Sequence, residues 1–292
     1  HGANTVICYI DDEQSYETFV SEEGFSQTLA RMQTMVAKAH QKGLRLICYL
    51  NGLEVISVGA TAGNDVPSLG KDTDKQDWLQ QNVAGQKMLW YTGSGEADWV
   101  PANSEDAWAS PYGPWRSFFK SRVISLAQTG LDGLYIDAAC LPGMDNFGEE
   151  YASSDPYFAA AFKQKYGLDI PATVDWNSLT WRKFEYFRHE TIRDYLSEMK
   201  QAFYANAAAA KPVVFFEMSA CDTESGTYLA NDNQFTISGG IACSPEIEPK
   251  YLAGKYAEGF RCAKASRDAD QGLPIIYLGW PSTYQNYKRE LA

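Results

Sequence analysis

The chain has 292 residues, of which 45% are hydrophobic and 14% are aromatic, and its formal net charge is −12. An acidic chain without a basic stripe repels both a phosphate backbone and an anionic lipid surface, so we expect neither nucleic acid nor a membrane as a partner. The hydrophobic content is sufficient for one large core, and we predict a single domain over residues 1–292. The negative charge does not exclude a neutral ligand.

The predicted elements alternate between strands and helices along the chain. Short apolar or β-branched runs predict strands at 5–10, 44–50, 131–137, 213–218, 235–241 and 275–280. A further strand is predicted at either 88–91 or 99–100, which makes the strand that ends at residue 137 the fourth. Helical spacing of apolar residues predicts helices at 25–41, 118–128, 157–166, 181–209 and 251–269. Gly43 is expected to end the first helix.

This order favours an α/β fold, and within that class a (β/α)₈ TIM barrel with long βα loops. A doubly wound open sheet is the rival architecture, and the lack of a GxGxxG motif after the first strand disfavours it. No eighth strand is evident after Trp280, so we expect either an incomplete barrel or an undetected strand. The long irregular stretch at 51–114 is typical of a loop that builds an active site.

Acidic residues end or follow several of the predicted strands. They are Asp11, Asp12, Glu13, Glu54, Asp137, Glu217, Glu246 and Glu248. In a barrel these strand ends converge on one face, which is where active sites form. Asp137 and Glu217 differ from the others because each ends an apolar run, where an unpaired carboxylate is costly to bury. The structural alternative for both is a buried ion pair that joins two strands.

Glycoside hydrolysis requires two carboxyl groups with different tasks. One group protonates the leaving oxygen, and the other attacks the anomeric carbon or activates water. Asp137 and Glu217 on neighbouring strands meet this requirement, and Phe215 and Phe216 offer the apolar wall that favours a protonated acid. We predict that these two carboxyl groups are catalytic.

Aromatic residues are abundant, and a sugar ring packs its apolar face on an aromatic ring. The candidate platforms, several of which must be core, are Trp90, Tyr91, Trp99, Trp108, Tyr112, Trp115 and Trp280. The predicted substrate-binding residues are Asp11, Glu54, Trp99, Trp108, Tyr112, Trp280 and Glu246.

Other chemistries have weaker support in the sequence. The six cysteines include no CxxC or CxxH spacing, so we predict neither a metal site nor a cofactor. Cys8 and Cys48 lie in strand-like runs and are expected to be buried thiols, whereas Cys140 and Cys221 could pair if their strands are neighbours. The lack of a GxSxG motif disfavours a serine hydrolase.

Two segments resemble known enzymes. The stretch WRSFFKSRVISLAQTGLDGLYID at 115–137 resembles the segment through the fourth strand of barrel glycoside hydrolases, namely the α-L-fucosidase, α-galactosidase and α-glucosidase families and related unassigned families. In those families a DG-aromatic-x-D strand delivers the nucleophile, which the resemblance places on Asp137. The stretch FKQKYGLDIPATVDWNSLTWRKFEYFR at 162–188 is similar to a segment of several unassigned families and some β-galactosidases. The acid/base position varies among these families, so Glu246 and Asp222 are rivals of Glu217.

The resemblance implies a retaining O-glycosidase that acts on a poly- or oligosaccharide. Two other functions stay open at this point: a non-catalytic carbohydrate-binding barrel, and a Ca²⁺-dependent barrel hydrolase that uses Asp11, Asp12 and Glu13. The chain opens at His1 almost directly on a strand, which we interpret as a processed start. We predict a secreted or cell-surface location.

Overall fold

The structure is a computed structural model that describes residues 4–11, 14–93, 100–139, 141 and 151–216, and the backbone alone at 217–218, 242–247 and 278–279. Its strands and α-helices, in chain order, are β1 (Thr5–Tyr9), α1 (Glu22–Gln41), β2 (Arg45–Asn51), β3 (Glu54–Ser57), β4 (Leu89–Tyr91), β5 (Glu105–Trp108), α2 (Gly113–Ala127), β6 (Gly133–Asp137), α3 (Pro156–Tyr166), α4 (Leu179–Asn206), β7 (Val213–Met218), β8 (Ala242–Ile247) and β9 (Leu278–Gly279). A π-helical turn at Tyr16–Val20 and a 3₁₀ helix at Thr73–Trp78 lie in the connections. No helix within these ranges is both long and apolar enough to cross a bilayer.

Among the described residues, six parallel strands form the main sheet in the order β1-β2-β6-β7-β8-β9. Each strand is added beside the previous one and on the same side, which is how a (β/α)₈ barrel is wound. A doubly wound sheet would reverse the direction of strand addition partway through. The predicted α/β class and barrel-type winding are therefore confirmed, and the doubly wound alternative is wrong. Within the described pairings, β1 and β9 are the two edges of the sheet.

The two faces of this sheet have separate cores, because successive side chains of a strand point to opposite faces. Cys8, Cys48 and Leu134 belong to the large core that the outer face shares with the helices. Ile47, Tyr135 and Phe215 form a smaller buried cluster on the inner face. The inner cluster lies directly below the carboxyl end of β6.

A second sheet lies inside the connection between β2 and β6. It is antiparallel, with the order β3-β5-β4. The segment predicted as a barrel strand at 88–91 therefore contains a real strand, but its place in the barrel is wrong, and Val100 lies in no strand. The strand that ends at Asp137 is consequently the third of the parallel sheet, not the fourth, because β2 pairs directly with β6. The predicted strand at 235–241 and helix at 251–269 lie outside the described residues.

Asp132, the first residue of the DGLYID segment that ends at Asp137, fixes the amino end of β6. Asp132 Oδ2 accepts hydrogen bonds from the Leu46 N–H at 2.9 Å and from His40 Nε2 at 2.8 Å. This contact ties α1 to two strands at the end of the sheet opposite Asp137. Gly43 ends α1 with a φ of +70°, as predicted.

The cysteine predictions are tested in part. Cys8 and Cys48 are free, buried thiols that lie in register on β1 and β2, as predicted. The Cys48 neighbour is the largest influence that lowers the pKa of Cys8, and the same contact raises the pKa of Cys48. Cys140 and Cys221 lie outside the described residues.

Candidate active site

Asp137 is the last residue of β6, at the carboxyl end of the parallel sheet. Its carboxylate Oδ1 accepts a hydrogen bond from the Ala138 N–H at 2.5 Å, and Oδ2 accepts one from the Tyr49 hydroxyl on β2. Ala138 has a φ of +45°, which is uncommon for a residue with a side chain. Backbone conformations of this kind are concentrated at functional sites, where the surrounding structure holds them in place.

The backbone around Asp137 is held by the turn that follows β2. The Gly52 N–H donates to the Asp137 carbonyl at 2.6 Å. The Gly52 carbonyl in turn accepts from Trp115 Nε1 at 3.1 Å and from the Tyr195 hydroxyl at 2.8 Å. Trp115 lies on α2 and Tyr195 on α4, so two outer helices fix the Gly52 carbonyl at the carboxyl end of the sheet. Burial raises the pKa of Tyr195 well above its ordinary value, which keeps this phenol a hydrogen-bond donor.

Replacing Gly52 with alanine is expected to disturb the site. A Cβ at this position would lie 2.8 Å from Ala139 Cβ and 3.1 Å from Ile136 Cγ2. Both neighbours are buried and lie within two residues of Asp137, so relief of the clash must move the strand end. We expect a loss of about 1–3 kcal/mol in the free energy of unfolding, measured by urea titration, together with weakened ligand binding.

Gly63→Ala is the matched control for Gly52→Ala, because a Cβ there meets nothing within 4 Å. We expect this variant to unfold at the wild-type urea concentration. Equal stabilities for the two variants would show that the turn after β2 has room to adapt, and would remove Gly52 from the account.

A buried polar network begins at the end of β2, beside Asp137. Asn51 is the register partner of Asp137, and its Nδ2 donates to Glu54 Oε2 at 2.9 Å. Gln14 completes the network through two hydrogen bonds to the Asn51 backbone. Its Nε2 donates to the Asn51 carbonyl at 2.8 Å, and its Oε1 accepts from the Asn51 N–H at 3.0 Å. The network therefore couples Glu54 to the strand position next to the candidate nucleophile. Asp11 is half-buried and is the second residue after β1.

The antiparallel sheet contributes two further buried acids that the sequence did not reveal. Glu105 accepts hydrogen bonds from Ser68 Oγ at 2.5 Å and from the Gly70 N–H at 2.8 Å. Burial, and then the neighbouring Glu105 charge, raise the pKa of Tyr91 to about 12. Asp106 lies on the opposite face of β5 and is 2% exposed. Residues of the EDAW segment look like a surface loop in the sequence, because the contacts that satisfy these acids come from distant segments.

Asp106 is expected to make stability depend on pH. Burial raises the pKa of Asp106 from 3.8 to about 7, although hydrogen bonds with the Trp108 and Glu54 side chains oppose the rise. The folded protein thus retains a proton that the unfolded chain has lost between these two pH values, so increasing pH favours unfolding across this interval. Relative to Asp106→Asn, the free energy of unfolding of the wild type is expected to fall by a few kcal/mol between about pH 4 and about pH 7. Above about pH 7 this difference should stay constant.

Urea titrations of both proteins across this pH range test the Asp106 prediction. Only the difference between the two curves is assigned to Asp106, since other carboxyl groups titrate in both proteins. Parallel curves would mean that Asp106 is ionised in the folded protein at acidic pH, contrary to our expectation.

Several predicted platform residues are packed inside the described part of the chain. Trp108 is 3% exposed, and Trp115 is fully buried in the aromatic core. Tyr112 is half-buried: its hydroxyl lies 3.2 Å from Thr191 Oγ1, and its ring stacks on Phe187 with centroids 6.1 Å apart. These contacts favour packing roles for the three rings, and substrate contact by Trp108 or Tyr112 stays a prediction.

The remaining predicted site residues are described only in part. Glu217 lies on β7 immediately after Phe216, which is the register partner of Ile136. Asp137 and Glu217 therefore occupy the same level on adjacent strands. Glu246 is described by its backbone alone, on β8. Trp99, Asp222, Trp280 and the Asp12–Glu13 pair lie outside the described residues. Within the described ranges, no group of three or more His, Cys, Asp or Glu side chains is arranged to hold a metal ion.

Solved structures share this architecture at low sequence identity. The chain is similar to the PgaB (BpsB) glycoside hydrolase domain from Bordetella bronchiseptica, with a TM-score of 0.59 and 13% identity over 99% of this chain and 89% of that one. It is also similar to a cycloisomaltooligosaccharide glucanotransferase from Paenibacillus sp., with a TM-score of 0.55 and 13% identity over 95% of this chain. A β-galactosidase from the psychrophilic Marinomonas ef1 gives a TM-score of 0.55 and 14% identity over 95% of this chain.

The comparisons define a fold class. The chain spans 34% of the glucanotransferase and 48% of the β-galactosidase, but 89% of the PgaB domain. No protein-family model matches the sequence, and no curated protein matches it. The chain has the fold of the (β/α)₈-barrel glycoside hydrolases, so the predicted resemblance is confirmed at the level of the fold.

Proposed function

We propose that the protein is a retaining O-glycosidase that cleaves a poly- or oligosaccharide, with Asp137 as nucleophile and Glu217 as acid/base. The observation that supports this most strongly is the register of β6 and β7, which sets Asp137 and Glu217 at the same level on neighbouring strands. Neighbouring strands are about 4.8 Å apart, and the two carboxyl groups of a retaining glycosidase are about 5–5.5 Å apart. Carboxyl groups on adjacent strand ends therefore suit retention better than inversion.

The chemistry proceeds in two displacements. In the first, an Asp137 carboxylate oxygen forms a bond to the anomeric carbon while the bond from that carbon to the leaving oxygen breaks, and Glu217 gives its proton to the leaving oxygen. In the second, water gives a proton to Glu217 and forms the new bond to the anomeric carbon, and the bond to Asp137 breaks. Tyr49 and Ala138 orient the Asp137 carboxylate before attack, because each donates a hydrogen bond to one of its oxygens. Gly52 fixes the Asp137 backbone through the carbonyl.

The substrate-binding part of the proposal concerns the βα loops. The segment from Gly52 to Tyr112 joins β2 to α2, and it is the longest βα loop whose residues are mostly described. It includes the antiparallel sheet. We propose that it forms one wall of the substrate site, together with Asp11, Glu54, Trp99, Trp108, Tyr112, Glu246 and Trp280. The proposal includes a single catalytic domain over 1–292. It also includes a secreted or cell-surface location, where the enzyme would reach an extracellular polysaccharide.

A panel of 2,4-dinitrophenyl α- and β-glycosides and of soluble polysaccharides tests this function. We expect turnover of at least one member, and we expect ¹H NMR of the first product to show the anomeric configuration of the substrate. A product of opposite configuration would contradict retention. Binding to a polysaccharide without turnover would favour the carbohydrate-binding barrel instead, and turnover that EDTA abolishes would favour the Ca²⁺-dependent hydrolase.

A further inference from the structure

A row of three tyrosines crosses the inner face of the sheet just below Asp137. Tyr9, Tyr49 and Tyr135 are register partners on β1, β2 and β6. The Tyr9 and Tyr49 ring centroids are 4.6 Å apart at an interplanar angle of 50°, and those of Tyr49 and Tyr135 are 5.2 Å apart at 16°. Tyr49 is the middle ring, so packing from both sides fixes the direction of its hydroxyl group.

That hydroxyl group is directed at the candidate nucleophile. Tyr49 donates to Asp137 Oδ2, and the Ala138 N–H bonds the other oxygen, Oδ1. Each carboxylate oxygen has two acceptor sites, so these bonds leave lone pairs on both oxygens for attack. The row of rings is carried by strands, and sites on strands are positioned more accurately than sites on loops.

We infer that Tyr49 is a positioning residue that acts mainly in the second displacement, by stabilising the Asp137 carboxylate as it leaves the sugar. This inference rests on the proposed function. A hydrogen bond to a carboxylate is about twice as strong as one between neutral groups. The Tyr49 bond is therefore weak while Asp137 is esterified to the sugar, and it strengthens as the negative charge returns to the carboxylate.

The two displacements consequently respond differently to loss of the hydroxyl group. The first displacement consumes the carboxylate charge, so the Tyr49 bond gives it no advantage. The second displacement regenerates that charge, so it loses a stabilising contact in Tyr49→Phe. The covalent glycosyl-enzyme should then accumulate, because it forms at nearly the normal rate and is hydrolysed slowly.

The experiment uses the full chain and the 2,4-dinitrophenyl glycoside that the wild type hydrolyses fastest. For Tyr49→Phe we expect kcat to fall about tenfold or more, KM to fall with it, and kcat/KM to change much less. Mass spectrometry of acid-quenched samples should show the glycosyl-enzyme in steady state. Tyr16→Phe is the matched control, since it removes another tyrosine–aspartate hydrogen bond, to Asp72 Oδ2, away from Asp137. This control is expected to keep wild-type kinetics.

Two results would overturn the inference. If kcat and kcat/KM fall together without accumulation of glycosyl-enzyme, Tyr49 only shapes the site. If Tyr49→Phe behaves like Tyr16→Phe, the contact has no part in turnover. Failure of the proposed function is distinguishable from both, because the wild type would then show no turnover or would give a product of inverted configuration.

Discussion

Asp137→Asn is expected to abolish turnover while leaving the fold intact. The substitution removes the nucleophilic oxygen charge, and loss of a nucleophile in a covalent mechanism typically costs several orders of magnitude in kcat. An amide at this position keeps both side-chain contacts, because its oxygen accepts from the Ala138 N–H and its NH2 group donates to the Tyr49 hydroxyl oxygen. The Gly52 N–H contact is made by the backbone carbonyl. We therefore expect kcat to fall by about four orders of magnitude, with an unchanged urea midpoint and retained polysaccharide binding.

The control for this experiment lies at the other end of the same strand. Asp132 precedes β6, and its Oδ2 accepts from the Leu46 N–H and from His40. Asp132→Asn makes the same chemical change and keeps an acceptor, but at the end of the sheet opposite the site. We expect its kcat to stay within a few fold of the wild-type value. Equal activity in Asp137→Asn and Asp132→Asn would move the chemistry to another carboxylate.

Arg188→Met is expected to cause the largest loss of stability among the variants considered. Arg188 is 1% exposed, with Nη1 at 3.3 Å from Glu185 Oε1 and Nη2 donating to the Leu141 carbonyl at 2.9 Å. Removal leaves the buried Glu185 carboxyl without its cation, and breaking a buried pair in this way costs about 3–5 kcal/mol. Leu141 is the fourth residue after Asp137, so the variant also removes a contact to the segment that follows Asp137.

Two further variants separate charge from packing at Arg188. Arg193 is a partly exposed arginine of the same helix, and its Nη2 donates to Asp194 Oδ1 at 2.8 Å. For Arg193→Met we expect the free energy of unfolding to change by no more than about 0.5 kcal/mol. Combining Arg188→Met with Glu185→Leu removes both charges and should recover much of the lost free energy of unfolding, measured by urea titration. If Arg188→Met is as stable as Arg193→Met, the Arg188–Glu185 pair is not desolvated in the folded protein. A double variant as unstable as the single one would assign the loss to the Leu141 contact.

The central strands and their end carboxylates could be predicted from the sequence for a physical reason. Strands covered on both faces are continuous apolar runs, and RLICYLN, GLYID and VVFFEM have this character. An acid that ends such a run is costly to leave unpaired, so the sequence pattern of β6 alone indicates a special role for Asp137. Tyr49 gave no comparable signal, since a tyrosine within an apolar strand is ordinary core.

The antiparallel sheet was beyond a sequence-only prediction because distant contacts decide it. Glu105 and Asp106 are charged residues in a short segment between turns, a pattern typical of solvated loops. Their burial depends on Ser68, Gly70 and the Glu54 side chain, which lie about 35 to 50 residues earlier in the chain. Because β4 belongs to this second sheet, β6 is the third strand of the main sheet and not the predicted fourth. Local period distinguishes strand from helix, but it does not say which sheet a strand joins.

The most direct test of Asp137 as the covalent nucleophile is to label it with a 2-deoxy-2-fluoro glycosyl fluoride matched to the best glycoside substrate. The fluorine slows both displacements, while the fluoride leaving group keeps the first one fast enough to trap the glycosyl-enzyme. We expect inactivation with one sugar bound per chain, and peptide mapping that places the label on Asp137. A label on another carboxylate, or an active enzyme that is never labelled and releases a product of inverted configuration, would contradict the account.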